Sequence, residues 1–269
     1  MTGLGPFPLF ILFMVSFVAA GFDAIAGGGG LLTLPALLMA GLDPVSAIAT
    51  NKLQSSGGSV SASLHFARRG LIERQNAWAF VLGAGGGAVL GALSVALLPG
   101  TVLKAAVPLI LVAIAIYFGF AHRPGAEDAR ARMPPLVFAA TYAVATGFYD
   151  GIFGPGAGSF YMAGFVALLG YGLLRATAHT KLANAASNLG GLAFFALAGK
   201  VVWPVGLVMA VGAFIGGQIG SRLAISHGAR LIRPLLVTVS CVMAIRLLAD
   251  PANPIRQFVS RLFVHATGI

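Results

Sequence analysis

Apolar residues run in stretches of membrane-spanning length along this chain, and the interruptions carry most of the information. The first run, Phe7 to Ala26, is long enough to cross a bilayer, which takes about 20 residues. It stops at four consecutive glycines, Gly27 to Gly30. The second run, Leu31 to Ala40, is too short to cross unaided. The third, Val45 to Ala67, has the length but carries Ser46, Asn51, Lys52, Gln54, Ser55, Ser56 and His65. So many polar groups must face protein or a wet cavity. A basic stretch with Arg68, Arg69, Glu73 and Arg74 follows, and Ala77 to Leu98 and Val102 to Ala121 complete five segments.

After a hydrophilic stretch from His122 to Met133, the order repeats. Pro135 to Phe153 and Gly158 to Gly170 form a second broken pair. Leu173 to Ala198 is long and polar-speckled, with Arg175, His179, Lys181, Asn184, Ser187 and Asn188. Pro204 to Leu223 and Leu235 to Ala249 close the set. A constant shift of 129 places Lys52 on Lys181, Leu53 on Leu182, Phe66 on Phe195 and Gly70 on Gly199. It also places Gly83, Gly87 and Gly91 on Gly212, Gly216 and Gly220. Asp-x-Ile-x-Gly-x-Gly occurs in both halves, at Asp23 and at Asp150. The expected organisation is a first repeat over 1–121, a cytoplasmic linker over 122–134, a second repeat over 135–249 and an amphipathic tail over 250–269.

Charge orients these segments. The basic loop of the first half precedes its fourth segment, whereas Arg222, Arg230 and Arg233 precede the fifth segment of the second half. If basic loops face the cytoplasm, the two halves are inverted relative to each other, as an odd number of segments requires. The predicted fold is an all-α polytopic membrane protein of two inverted repeats, about five helical segments each, whose short glycine-broken helices meet near the midplane. Both termini then face outside. Arg256 and Arg261 in the tail leave a cytoplasmic C-terminus as the alternative.

Composition agrees. Of 269 residues, 58% are hydrophobic and 9% charged, far from the quarter expected of a soluble domain. The net charge of +10 sits in short clusters between apolar runs, which reads as loops rather than a nucleic-acid surface. Cys241 is the only cysteine, so no intrachain disulfide or thiolate metal cage is expected. No Lys or Arg precedes Lys52, so the first run reads as a retained span rather than a signal peptide. Gly83-x-Gly85-x-x-Ala88 fits a loose dinucleotide fingerprint, but the strand that fingerprint needs is missing. Glycines at four-residue spacing read instead as faces for close helix packing. No cofactor, metal site, ATP loop or enzyme motif is expected.

Glycine-broken backbone at membrane depth is tolerated only where protein packs it or a cavity meets it. Broken segments at matching places in two halves point to the central site of a transporter. Free N–H groups at the starts of the short helices suit an anion, so Gly28, Gly29, Gly30, Gly156, Ala157 and Gly158 are candidate binding positions. Lys52 and Lys181, whose charges cost at least about 2.5–3.5 kcal/mol inside an apolar segment, could supply positive charge there. They could equally neutralise a neighbouring Asp or snorkel. Asp23 and Asp150 could carry coupled protons, cap the short helices or pair with the lysines. Asn51, Gln54, Thr180, Asn184 and Asn188 read as neutral donors to an oxyanion or as packing glue. His65, His179 and Tyr149 could line the path or be structural.

The stretch GFDAIAGGGGLLTLPALLMAGLDPVSAIATNKLQSSGGSVSAS, with YDGIFGPGAGSF and ATAHTKLANAASNLGGLAFFALAGKVVW, resembles the sulfite exporter TauE/SafE family, also called TSUP permeases, in its YfcA-like branch. The resemblance runs from about residue 8 to 250. It implies an inner-membrane permease for small sulfur-containing anions such as sulfite, sulfoacetate or other organosulfonates. Partners would be that anion and the lipid bilayer, with no nucleic acid; self-association stays open. Pro155 and Ala157 stand where the first half has Gly28 and Gly30, so the two half-sites are expected to be unequal. An anion channel of the same architecture is the alternative to a carrier.

Overall fold

A computed structural model of the chain describes residues 4–95 and 127–227, positions 97–99, 101–102, 106 and 109, and Arg256. Apart from those isolated positions, the fifth segment of each half and the amphipathic tail lie outside the described residues. The described residues form helices and no strand.

α1 is Pro6–Ala26, begun by a proline in its first turn and ended where Gly27 takes φ 78°. α2 is Gly30–Met39. α3 is Pro44–Arg68, capped by Asp43, whose carboxylate accepts from the N–H groups of Val45 and Ser46 at 3.1 Å each. α4 is Arg74–Val95. α5 runs as Pro135–Phe138, a π-helical turn Ala139–Ala143, and Val144–Ile152. α6 is Ala157–Ala167, α7 is Leu173–Leu197 and α8 is Trp203–His227. Arg222, expected in a loop, is therefore on α8, exposed at its last turns. The order long, short, polar long, apolar long occurs twice.

Pro6–Ile25, Arg74–Val95 and Trp203–Ile225 are each long and apolar enough to cross a membrane. Their exposed side chains include Phe10, Trp78, Leu82, Leu207 and Phe214, as a lipid-facing surface requires. α3 and α7 are the reverse. They bury Asn51, Lys52, Gln54, His179, Lys181, Asn184 and Asn188, so they form the polar centre that the apolar helices enclose.

The glycine series explain how the halves join. α8 lies on α1 so closely that a Cβ at Gly216 would stand 2.0 Å from the Phe17 carbonyl oxygen, and one at Gly220 2.1 Å from that of Gly21. α4 lies on α5 in the same way, with Gly87 against the Val144 carbonyl and Gly91 against that of Phe148, at 2.2 and 2.1 Å. Only backbone fits in either seam. Each seam joins a helix of one half to a helix of the other. The end of α3 lies beside the start of α7, where Glu73 is 2.5 Å from Arg175 and its N–H donates to His179 Nε2 at 3.1 Å. The start of α3 lies beside the end of α7, where the Val202 N–H donates to Thr50 Oγ1 at 3.0 Å.

Candidate functional site

The two glycine breaks touch. A Cβ on Gly27 would stand 2.8 Å from the Ser159 nitrogen, and one on Gly30 would stand 3.1 Å from Pro155 Cα. The turn before α2 uses positive φ at Gly27 and Gly28, and the turn before α6 uses it at Gly154 and Gly156. A cavity sits at this junction. It is lined by Gly28, Gly29 and Gly30 from one break, and by Gly154, Gly156 and Gly158 from the other. α3 adds Asn51, Gln54, Ser55 and Gly58, α7 adds Asn184 and Asn188, and α1 and α5 add Ala20, Asp23 and Asp150. Its free volume is about 20 Å³, room for one water.

The cavity is lined by oriented donors. Asn51 Oδ1 accepts from the Thr33 hydroxyl at 2.6 Å, and Gln54 Oε1 accepts from Ser55 at 3.0 Å. Asn184 Oδ1 accepts from the Asn188 amide at 3.4 Å. Each carbonyl is thus engaged, and each NH₂ has no partner among the described residues. All three side chains are buried, with residue exposures of 2%, 3% and 6%. The N–H groups of Gly28, Gly30, Gly156 and Gly158 also lack a protein partner among the described residues. A buried polar surface of unspent donors demands an acceptor.

Charge is arranged differently from the sequence expectation of two lysines facing the helix starts. Neither Lys52 nor Lys181 lines the cavity. Each begins its helix at the same remove, eight positions in (44 to 52 and 173 to 181), and each reaches across to the other half. Lys52 Nζ donates to Asp150 Oδ1 at 2.6 Å, with side-chain exposures of 0% and 2%. Lys181 Nζ donates to Asp23 Oδ2 at 2.8 Å, with exposures of 0% and 18%. An unpaired ammonium at this depth would be costly, so the nearest carboxylate neutralises it. The carboxylates, not the ammoniums, meet the cavity.

Of the other candidates, Gly29 gives its N–H to Asp23 Oδ1 at 3.0 Å, and Ala157 spends its own on the Gly154 carbonyl at 3.1 Å without lining the cavity. Thr180, the counterpart of Asn51, is buried behind it with no partner for its hydroxyl among the described residues. His179 accepts from Glu73 and bonds the Arg175 carbonyl, Tyr149 donates to the Pro155 carbonyl at 2.6 Å, and His65 meets Gln218 at 3.3 Å. None of those three lines the cavity. Sequence reasoning placed Ser55 among the polar residues facing protein or a wet cavity but did not make Ser55, Gly58, Gly154 or Ala20 binding candidates. Gly154, in the repeated Asp-x-Ile-x-Gly-x-Gly, carried a signal, and Gly58 and Ala20 carried none.

Broken helices meeting at a donor-lined cavity inside an apolar shell define a helical membrane protein built as transporters are built. The family model "Sulfite exporter TauE/SafE" matches residues 12–247, and the chain belongs to that family. It is 51% identical over 248 residues to the "Probable membrane transporter protein ORF9" of Sinorhizobium sp, covering 92% of this chain and 95% of that one. It is 48% identical over 247 residues to the "Probable membrane transporter protein YfcA" of Escherichia coli K12, covering 92% of each. A "Probable membrane transporter protein" of Haemophilus influenzae is 42% identical over 242 residues, 90% of this chain and 95% of the relative. No solved structure matches.

Proposed function

We propose that this chain is a secondary transporter for small sulfur-containing anions such as sulfite or organosulfonates. The observation that carries the reading is the set of unspent donors: the amides of Asn51, Gln54 and Asn184 and the N–H groups at the two glycine breaks. They converge on one buried cavity and offer hydrogen bonds to an acceptor-only ligand. The family match supports a sulfur oxyanion as that ligand. The lysines act through their carboxylates, setting the field without touching the ligand in this conformation.

A cavity with room for one water has to open before a sulfonate enters, which fits alternating access better than a standing pore. Two inverted repeats, with both termini periplasmic in an inner membrane, are the architecture proposed for that cycle. The pairing of the end of α3 with the start of α7, and of the start of α3 with the end of α7, supports the inversion. So does the seam of each half against the other.

The test is flux of labelled sulfite and methanesulfonate into proteoliposomes, with and without internal anion. Saturable uptake stimulated by internal anion is expected, and flux without such stimulation would make the protein a channel. Asn51→Asp replaces a donor with an acceptor. It should weaken apparent affinity by roughly tenfold or more, the scale of one hydrogen bond to a charged ligand. Unchanged affinity would refute the donor site.

A further inference from the structure

The two buried ion pairs occupy matching places but differ in surroundings. Asp150 is sealed. One oxygen meets Lys52, the other accepts from the Ser187 hydroxyl, and 2% of the side chain is exposed. Asp23 is open. One oxygen meets Lys181, the other accepts from the Gly29 N–H, and 18% of the side chain is exposed toward the cavity it lines. The position that corresponds to Ser187, 129 residues earlier, is Gly58, which has no side chain and itself lines the cavity.

An anion held by the cavity donors faces the Asp23 carboxylate, and two negative groups at close range repel. Resting on the anion reading above, we infer that the anion is bound together with one proton, and that Asp23, not Asp150, takes it. One proton passes from solvent to the Asp23 carboxylate, and no bond forms to the anion. Lys181 loses its carboxylate counter-ion, and the bound anion becomes its new one, so net charge at the site is conserved. Asp150 is not the acceptor, because its side chain is 2% exposed against 18% for Asp23, and a hydroxyl holds its second oxygen where the Asp23 site has only Gly58.

The elements packed on α1 leave few rivals for this proton. α2 carries no titratable side chain. α3 brings Lys52, committed to Asp150, His65, at Gln218, and Arg68, which is exposed. α6 brings Tyr161, buried away from the cavity. α7 brings Lys181 itself with Arg175 and His179, and both of those are held at the Glu73 end. α8 brings Arg222, which is exposed. Across the cavity stands Asp150.

The experiment is calorimetric titration of the purified full chain with methanesulfonate, which stays ionised at every pH used, in buffers of different ionisation enthalpy. One proton taken up per anion is expected, with affinity falling tenfold per pH unit once Asp23 is ionised. Asp23→Glu should keep the uptake, and Asp23→Asn should bind without it and without the pH dependence. An infrared difference spectrum on adding methanesulfonate needs no variant. A carboxylic-acid carbonyl band should appear, and it should move in Asp23→Glu. Binding with no proton taken up, no such band, or uptake that persists in Asp23→Asn overturns the inference while leaving the anion site standing. No binding of methanesulfonate or sulfite by folded protein overturns both.

Discussion

Replacing Lys52 by Met tests whether the two ion pairs differ as described. The Lys52–Asp150 contact is 2.6 Å with almost no exposure on either side. Without the ammonium, Asp150 keeps only the Ser187 hydroxyl, with almost none of its side chain exposed. Breaking a buried pair from one side costs about 3–5 kcal/mol. Lys181→Met leaves Asp23 with the Gly29 N–H and a partly open face toward the cavity. Its cost should be that of a lost charged hydrogen bond, about 1.5–3 kcal/mol. The double variant Lys52→Met with Asp150→Asn removes both charges and should recover about 2 kcal/mol relative to Lys52→Met alone, the size of coupling expected between contacting residues. Equilibrium unfolding in mixed micelles measures all three. Equal losses for the two lysine variants, or a double variant no more stable than Lys52→Met, would refute the reasoning.

Other expectations follow from the seams, the loops and the topology. Gly216→Ala puts a methyl group 2.0 Å from the Phe17 carbonyl and should abolish folded protein. Gly86→Ala, with nothing within 4 Å, should be neutral or stabilise by up to about 1 kcal/mol; yield and melting temperature of both decide. The Gly172 N–H, donating at 2.6 Å, and the Arg175 guanidinium hold the Asp128 carboxyl below the ordinary carboxylate range. Its folded value is depressed, so this tie is present above about pH 4 and is lost as acid protonates it. Protection of the Gly172 amide from exchange should fall below that pH in the native chain, lose this pH dependence in Asp128→Asn, whose amide oxygen accepts but does not titrate, and be absent at every pH in Asp128→Ala. Single cysteines at Arg69 and Asp128, in a Cys241→Ser background, should label from one side of the membrane, and those at Asp43 and Lys200 from the other.

The helix order was readable because apolar length and glycine breaks are local properties. α1, α2, α3 and α7 fall within a residue or two of the expected runs, and α6 ends three residues before the expected Gly170. The convergence of Gly28–Gly30 with Gly156 and Gly158 was readable from their matching places in the two halves. Which lysine meets which aspartate was not. The partners are 98 and 158 residues apart, and their pairing depends on helices of opposite halves packing through glycine seams. The donor orientation of Asn51, Gln54 and Asn184 was equally hidden. It depends on which neighbour engages each amide oxygen, a property of packing rather than of sequence spacing. The π-helical turn in α5 has no counterpart in α1 and no sequence signal.

The exchange of helices between halves also sets an order of events during synthesis. α4 meets its seam partner α5 after a short wait. α1 emerges first, and its partner α8 begins at Trp203, which is 197 residues after Pro6. At ribosomal speeds of about 5–20 residues per second, α1 spends roughly 10–40 s in the membrane with its backbone face uncovered. A ribosome stalled between α5 and α8 would therefore leave a helix primed to join the wrong neighbour. Among the described helices this makes α1 the one most dependent on the insertion machinery, and the α1–α8 seam the later of the two seams to close.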